Sequence, residues 1–139
     1  MNRFLFPIVS FSVTLWAGDP LIIQANDLMQ FQPNEIQCKS GEELVVVLKN
    51  VSRIPNFSHN WVLLKAGTNV NDFGNEAITA ASTGYIPTKM KDRIIAFIPL
   101  TEPGKENRVT FVAPEVGSYV FLCSYPGRYS VMQGVLIVK

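Results

Sequence analysis

His59, in "SHNWVLL", is the only imidazole in the chain. Far along the sequence, "CSYPGRYSVM" carries a thiol, Cys123, and a thioether, Met132, on either side of a Pro-Gly turn, with Arg128 between them. Trigonal copper sites are built from such parts: a thiolate and two imidazoles near one plane, and a weak axial thioether. A loop joining neighbouring strands can deliver the thiolate, one imidazole and the thioether, while a distant strand delivers the other imidazole. Here "HNWVL" is the distant contributor and "CSYPGRYSVM" the loop. Taken singly, each residue has a plainer reading. A lone histidine at a strand start is usually a surface or hydrogen-bonded residue, Cys123 a small buried hydrophobe, and Met132 core filler. Only the set points to a metal.

The elements that must position the set are strands. "PLIIQA" (20–25), "NEIQC" (34–38), "ELVVVLKN" (43–50), "NWVLLKA" (60–66), "RIIAFIP" (93–99), "RVTFVA" (108–113), "GSYVFLC" (117–123) and "GVLIVK" (134–139) are short β-rich runs separated by Gly, Pro, Asn and Asp. Eight such runs predict an all-β sandwich or barrel. "ELVVVLKN" is continuous enough to be buried on both faces. Between Gly67 and Lys89 the strand pattern stops, and Val70, Phe73, Ala77 and Ala81 recur at helical spacing. That stretch is expected to be a flap with one short helix packed outside the sandwich.

The 139 residues suffice for one domain with a buried core, and a formal net charge of +1 gives no electrostatic case for nucleic acid. The N-terminal "MNRFLFPIVSFSVTLWAG" has one cation, Arg3, followed by an uncharged apolar run too short for a typical membrane span. Residues 1–18 are therefore expected to be a signal peptide and 19–139 the mature, exported domain, in the periplasm or another extracytoplasmic space. A membrane enters only if the segment is an uncleaved anchor. Two cysteines in an exported chain permit one disulfide without establishing it.

On "IQANDLMQFQPNEI", "SHNWVLL" and "VTFVAPEVGSYVFLCSYPGRYSVMQGVLIVK", the chain resembles the azurin-like cupredoxins, auracyanins included, across nearly all of the mature region. The resemblance implies an eight-stranded Greek-key β-sandwich that holds one copper ion, passes single electrons between redox partner proteins, and acts as a monomer. It implies equatorial ligation by His59 and Cys123, axial ligation by Met132, and the Ser58 carbonyl lying opposite Met132. Asn60 is expected to brace the ligand loop near the thiolate, and the Tyr125 N–H to point at the sulfur, contacts that tune potential. The family's loop has a histidine after Pro-Gly. This chain has Arg128, expected at the solvent-facing corner of the loop, and guanidinium has no lone pair to offer a metal. Three ligands of four carry over, which predicts a weakened, Cu(I)-biased site. A family disulfide is also missing: Asp19 falls near its first partner position, so Cys38 is expected to be a free core thiol.

Three other readings compete. Cys38, Trp61 and Cys123 follow the Cys…Trp…Cys order of immunoglobulin domains, but the Cys38–Trp61 spacing is too long and Phe121 stands where the corner tyrosine belongs. A cupredoxin without metal could serve as an interaction module, docking through "RIPNF" and "YPGRY". An enzyme with Cys123 as nucleophile and His59 as base lacks a third orienting group.

Overall fold

The computed structural model describes residues 18–139, so the expected signal peptide, apart from Gly18, lies outside the described residues. Nine strands are present: β1 (Leu21–Ala25), β2 (Phe31–Gln32), β3 (Glu35–Cys38), β4 (Glu43–Asn50), β5 (His59–Leu64), β6 (Ile94–Thr101), β7 (Glu106–Val112), β8 (Gly117–Leu122) and β9 (Gln133–Val138). Eight of them coincide closely with the runs expected from the sequence. The addition is β2, whose two residues are too few to show any periodicity. The strands form two sheets, ordered β2-β1-β4-β7 and β3-β9-β8-β5-β6.

Alternation explains the first sheet. In β1, Leu21, Ile23 and Ala25 are buried while Ile22 and Gln24 are exposed, as a half-buried strand requires. Between the sheets, Trp61 of β5 and Phe121 of β8 stack with ring centroids 5.4 Å apart, and Phe31 meets Phe121 edge-on at 5.5 Å. Such contacts add about 0.5–1.5 kcal/mol each beyond the area they bury. The same period of two that turns Trp61 and Phe121 inward also turns His59 and Cys123 inward, at one end of this core.

Full burial on both faces belongs to β5 rather than to β4. In β4, Val45 and Lys49 stay partly exposed, whereas every residue of β5 is buried. The cause is the flap. Its helix α1 (Val70–Ile78) covers the outer face of β5, placing Phe73 in a second apolar cluster with Val62, Leu64 and Leu122. Asn69 caps the helix by accepting the Asp72 N–H at 3.0 Å. Ala81, expected on the helical face, instead begins a 3-10 turn (Ala81–Thr83). Gly74 has a specific task. A Cβ there would lie 2.2 Å from the Tyr129 ring, so its bare backbone admits that ring and lets α1 support the Cys123–Met132 loop.

Cys38 and Cys123 are both free and buried. Cys38 pairs with Val138, which pairs with Gly117 at the start of β8, whereas Cys123 follows the far end of that strand. The two thiols therefore sit at opposite ends of one sheet, which removes the inter-sheet cystine that an immunoglobulin reading needs.

Candidate metal centre

Two segments build the site: the start of β5, with His59 and Asn60, and the loop that follows β8. Hydrogen bonds within the loop fix its path. The Cys123 N–H donates to the Met132 carbonyl at 3.1 Å, and the Met132 N–H donates to the Arg128 carbonyl at 2.8 Å. Between them, Tyr125-Pro126-Gly127-Arg128 has Pro second, Gly third with φ +82°, and an Arg128 N–H to Tyr125 carbonyl bond of 3.1 Å. Those are the features of a type II turn, whose third position needs glycine's freedom.

Asn60 ties this loop to the rest of the molecule. Its side-chain oxygen accepts the Ser124 N–H at 2.8 Å, and its amide donates to Ser124 Oγ at 2.8 Å and to the Gly84 carbonyl at 3.3 Å. Ser124 Oγ in turn donates to the Tyr85 carbonyl at 2.6 Å. Strand, loop and flap are thereby joined through one buried amide, whose partners lie on segments remote in sequence.

The donor atoms face one another. His59 Nδ1 lies 4.0 Å from Cys123 Sγ, and both side chains are fully buried. An ion about 2.0 Å from an imidazole nitrogen and about 2.3 Å from a thiolate, joined at a wide angle, spans roughly that separation. Met132 is fully buried in the same core cluster as Cys123. No group of three His, Cys, Asp or Glu side chains converges among the described residues, and Met132 is the candidate for a third side-chain donor.

Burial raises the Cys123 thiol above its ordinary range, against the pull of the Asn60 and Tyr125 backbone N–H groups and of Arg128. Burial, and after it the Arg128 charge, lower His59 to about 4. The Asn26 backbone and the Asp27 carboxylate act in the opposite direction. At neutral pH the imidazole is thus uncharged. With Nδ1 facing the Arg128 donor 3.3 Å away, its proton belongs on Nε2, which is buried without a partner at hydrogen-bond distance.

Arg128 is not at a solvent-facing corner. Only 6% of it is exposed. Its guanidinium is sandwiched between the Phe57 and Tyr125 rings, with 4.2 Å to each centroid, and Nη1 donates to the Ser58 carbonyl. Two desolvated aromatic faces at about 2 kcal/mol each, with a charge-assisted hydrogen bond of about 1.5–3 kcal/mol, offset a desolvation cost of several kcal/mol. That balance is why the cation can stay inside. Phe57, Tyr85 and Ser124 are the participants that the sequence reading did not single out. The available signal was aromatic: Phe57 lies two residues before His59, and Tyr125 three before Arg128.

The donor set suits a soft ion of low coordination number, since imidazole, thiolate and thioether together favour Cu(I). The place is contested, however. The Arg128 guanidinium meets the Ser58 carbonyl and His59 Nδ1, two of the groups that such an ion would face, and its charge acts on the Cys123 thiol.

A two-sheet sandwich with a loop of this kind defines a cupredoxin. The family described as copper binding proteins, plastocyanin/azurin family, matches residues 20–139, and the chain belongs to it. The chain is 36% identical to auracyanin-A of Chloroflexus aurantiacus over 115 residues, 80% of this chain and 68% of that protein. It is 32% identical to azurin of Pseudomonas aeruginosa over 126 residues, 84% of this chain and 82% of that protein. The crystal structure of reduced auracyanin from Roseiflexus castenholzii superposes with a TM-score of 0.79 at 32% identity, covering 89% of this chain and 99% of the other. The family is one of electron carriers, not enzymes.

Proposed function

We propose that this chain is an exported, monomeric one-electron carrier that holds a single copper ion through His59, Cys123 and Met132, with the Ser58 carbonyl as a weak fourth contact. The 4.0 Å between His59 Nδ1 and Cys123 Sγ carries the reading, because that gap matches a shared ion. Copper supplies the one-electron exchange. The residues supply everything else. His59 is neutral at physiological pH and keeps a lone pair on Nδ1. Asn60 and Tyr125 direct backbone N–H groups at the sulfur, stabilising negative charge there. The closed loop and the Asn60 amide keep the donors from moving when charge changes, which keeps reorganisation small.

Two features bias the site toward the reduced ion. One imidazole with two sulfurs is a softer set than Cu(II) prefers. The positive charge of Arg128, seated beside these donors, also opposes the approach of a dication more than that of a monocation. Export rests on the apolar N-terminal run, with 19–139 as the mature domain, and the partners are other redox proteins.

Anaerobic titration with Cu(I) against a chromophoric chelator tests this. The protein should take one equivalent, and Cys123→Ser should take none. A folded wild-type protein that leaves all the copper on the chelator would refute the reading. The seated guanidinium favours a second one, a metal-free cupredoxin that binds a partner at its loop end, and that result would support it.

A further inference from the structure

A guanidinium nine-tenths buried with no carboxylate beside it needs an explanation. Among the described residues no carboxylate forms an ion pair with it. The single ion pair among the described residues joins Lys49 to Glu106 at 3.7 Å. Asp27, the carboxylate that acts electrostatically on His59, is engaged by the Ser52 hydroxyl and the Arg53 N–H. The partners of Arg128 are instead two ring faces, a carbonyl and an imidazole nitrogen, and the Cys123 sulfur lies 4.0 Å from that nitrogen. The carbonyl and the imidazole nitrogen are lone-pair donors, and their convergence on one cation beside a thiol resembles a coordination shell more than a salt bridge.

We infer that Arg128 is an internal substitute for the metal: guanidinium and ion are alternative occupants of one seat, and neither can enter until the other has left. This rests on the copper-site reading above and specifies how that site is regulated. With the arginine seated, one organic cation draws the Ser58 carbonyl, His59 and the Cys123 loop together, so the metal-free site is already closed. Charge balance follows the same logic. Guanidinium beside a neutral thiol is replaced by Cu(I) on a thiolate, the thiol proton passing to solvent, so the Cu(I) site is neutral whereas Cu(II) leaves one positive charge buried. Loading also has a consequence at the surface. The displaced side chain must carry its charge out from between Phe57 and Tyr125, so the loaded and metal-free forms present different faces at this end.

Loading forms copper–sulfur and copper–nitrogen bonds and releases the Cys123 thiol proton to solvent, and the exchange makes a prediction that runs against ordinary ligand logic. Deleting a residue from the site should tighten metal binding. Arg128→Ala removes the guanidinium and offers no new donor. Its Cu(I) affinity, measured by chelator competition, should exceed that of the wild type by tenfold or more. Arg128→Gln, which retains packing between the rings without the charge, should shift in the same direction and decides the matter if the alanine variant fails to fold. Arginine-directed dicarbonyl labelling, read by peptide mass, supplies a measurement independent of redox activity. Arg128 should be protected in the metal-free wild type and become labelled after one equivalent of Cu(I).

The outcomes separate the two levels of argument. If the wild type binds Cu(I) and the folded variants bind no tighter, the substitution idea is overturned while the copper site stands. If the wild type binds none and the variants bind well, Arg128 is the occupant inferred here and the wild-type carrier role falls. If none binds, both are overturned. Labelling of Arg128 that is unchanged by bound Cu(I) would likewise overturn the exchange.

Discussion

Cys38 and Cys123 are both free, both buried in one apolar core, and both placed at the end of a strand in the same sheet, yet different groups face the two sulfurs. Around Cys38 there is apolar packing, and burial together with the Glu42 carboxylate raises its thiol. Burial raises Cys123 as well, but two backbone N–H groups and a guanidinium are aimed at that sulfur. Burial alone therefore says little about what a cysteine does. The difference lies in donors directed at the sulfur, because they favour a thiolate that burial otherwise suppresses.

The largest expected effect separates the pair outright. Cys123→Ser should abolish Cu(I) uptake, while Cys38→Ser should retain it and lose stability, by about 1–3 kcal/mol for a hydroxyl in an apolar setting. Denaturant titration with and without Cu(I) measures both quantities. If Cys38→Ser lost copper as well, the contrast between the two ends would disappear.

A smaller effect concerns the support of the loop from outside. Gly74→Ala should clash with the Tyr129 ring, which lies in the loop between the candidate ligands. Overpacking of this kind costs about 1–3 kcal/mol. A melting temperature equal to that of the wild type would show that the helix does not brace the site.

The smallest effect is a pH dependence. The folded pKa of His59 is depressed to about 4 from an ordinary 6.5, so the unfolded chain binds a proton that the folded chain refuses. Its contribution to stability is intact above pH 6.5 and is lost as pH falls toward about 4. Chemical denaturation of metal-free protein across that window should show the decline, and His59→Gln should flatten it. A decline that persists unchanged in His59→Gln would assign the acid sensitivity to other groups.

Much of this was legible in the sequence because strands with alternating burial announce themselves. "LIIQA" and "GSYVFL" have the period that their burial requires, and turn residues bound them. The two-residue β2 carries no period, and β5 was a less obvious candidate for two-sided burial than β4 because the helix that covers it is distant in sequence. His59, Cys123 and Met132 were found as a set, through spacing around the Pro-Gly turn. The placement of Arg128 was not legible. A guanidinium is assigned to solvent by default, and only the folded chain shows Phe57 on one side and Tyr125 on the other.

The most direct test of the proposed copper site replaces that guanidinium with an imidazole. Arg128→His supplies a lone pair at the same turn position without disturbing Pro126 or Gly127. With Cu(II) added, the variant should show an intense thiolate-to-copper band in visible absorption, and the wild type should stay colourless or weakly coloured. A folded Arg128→His protein that remains colourless with Cu(II) would contradict the claim that His59, Cys123 and Met132 form a copper site lacking one ligand.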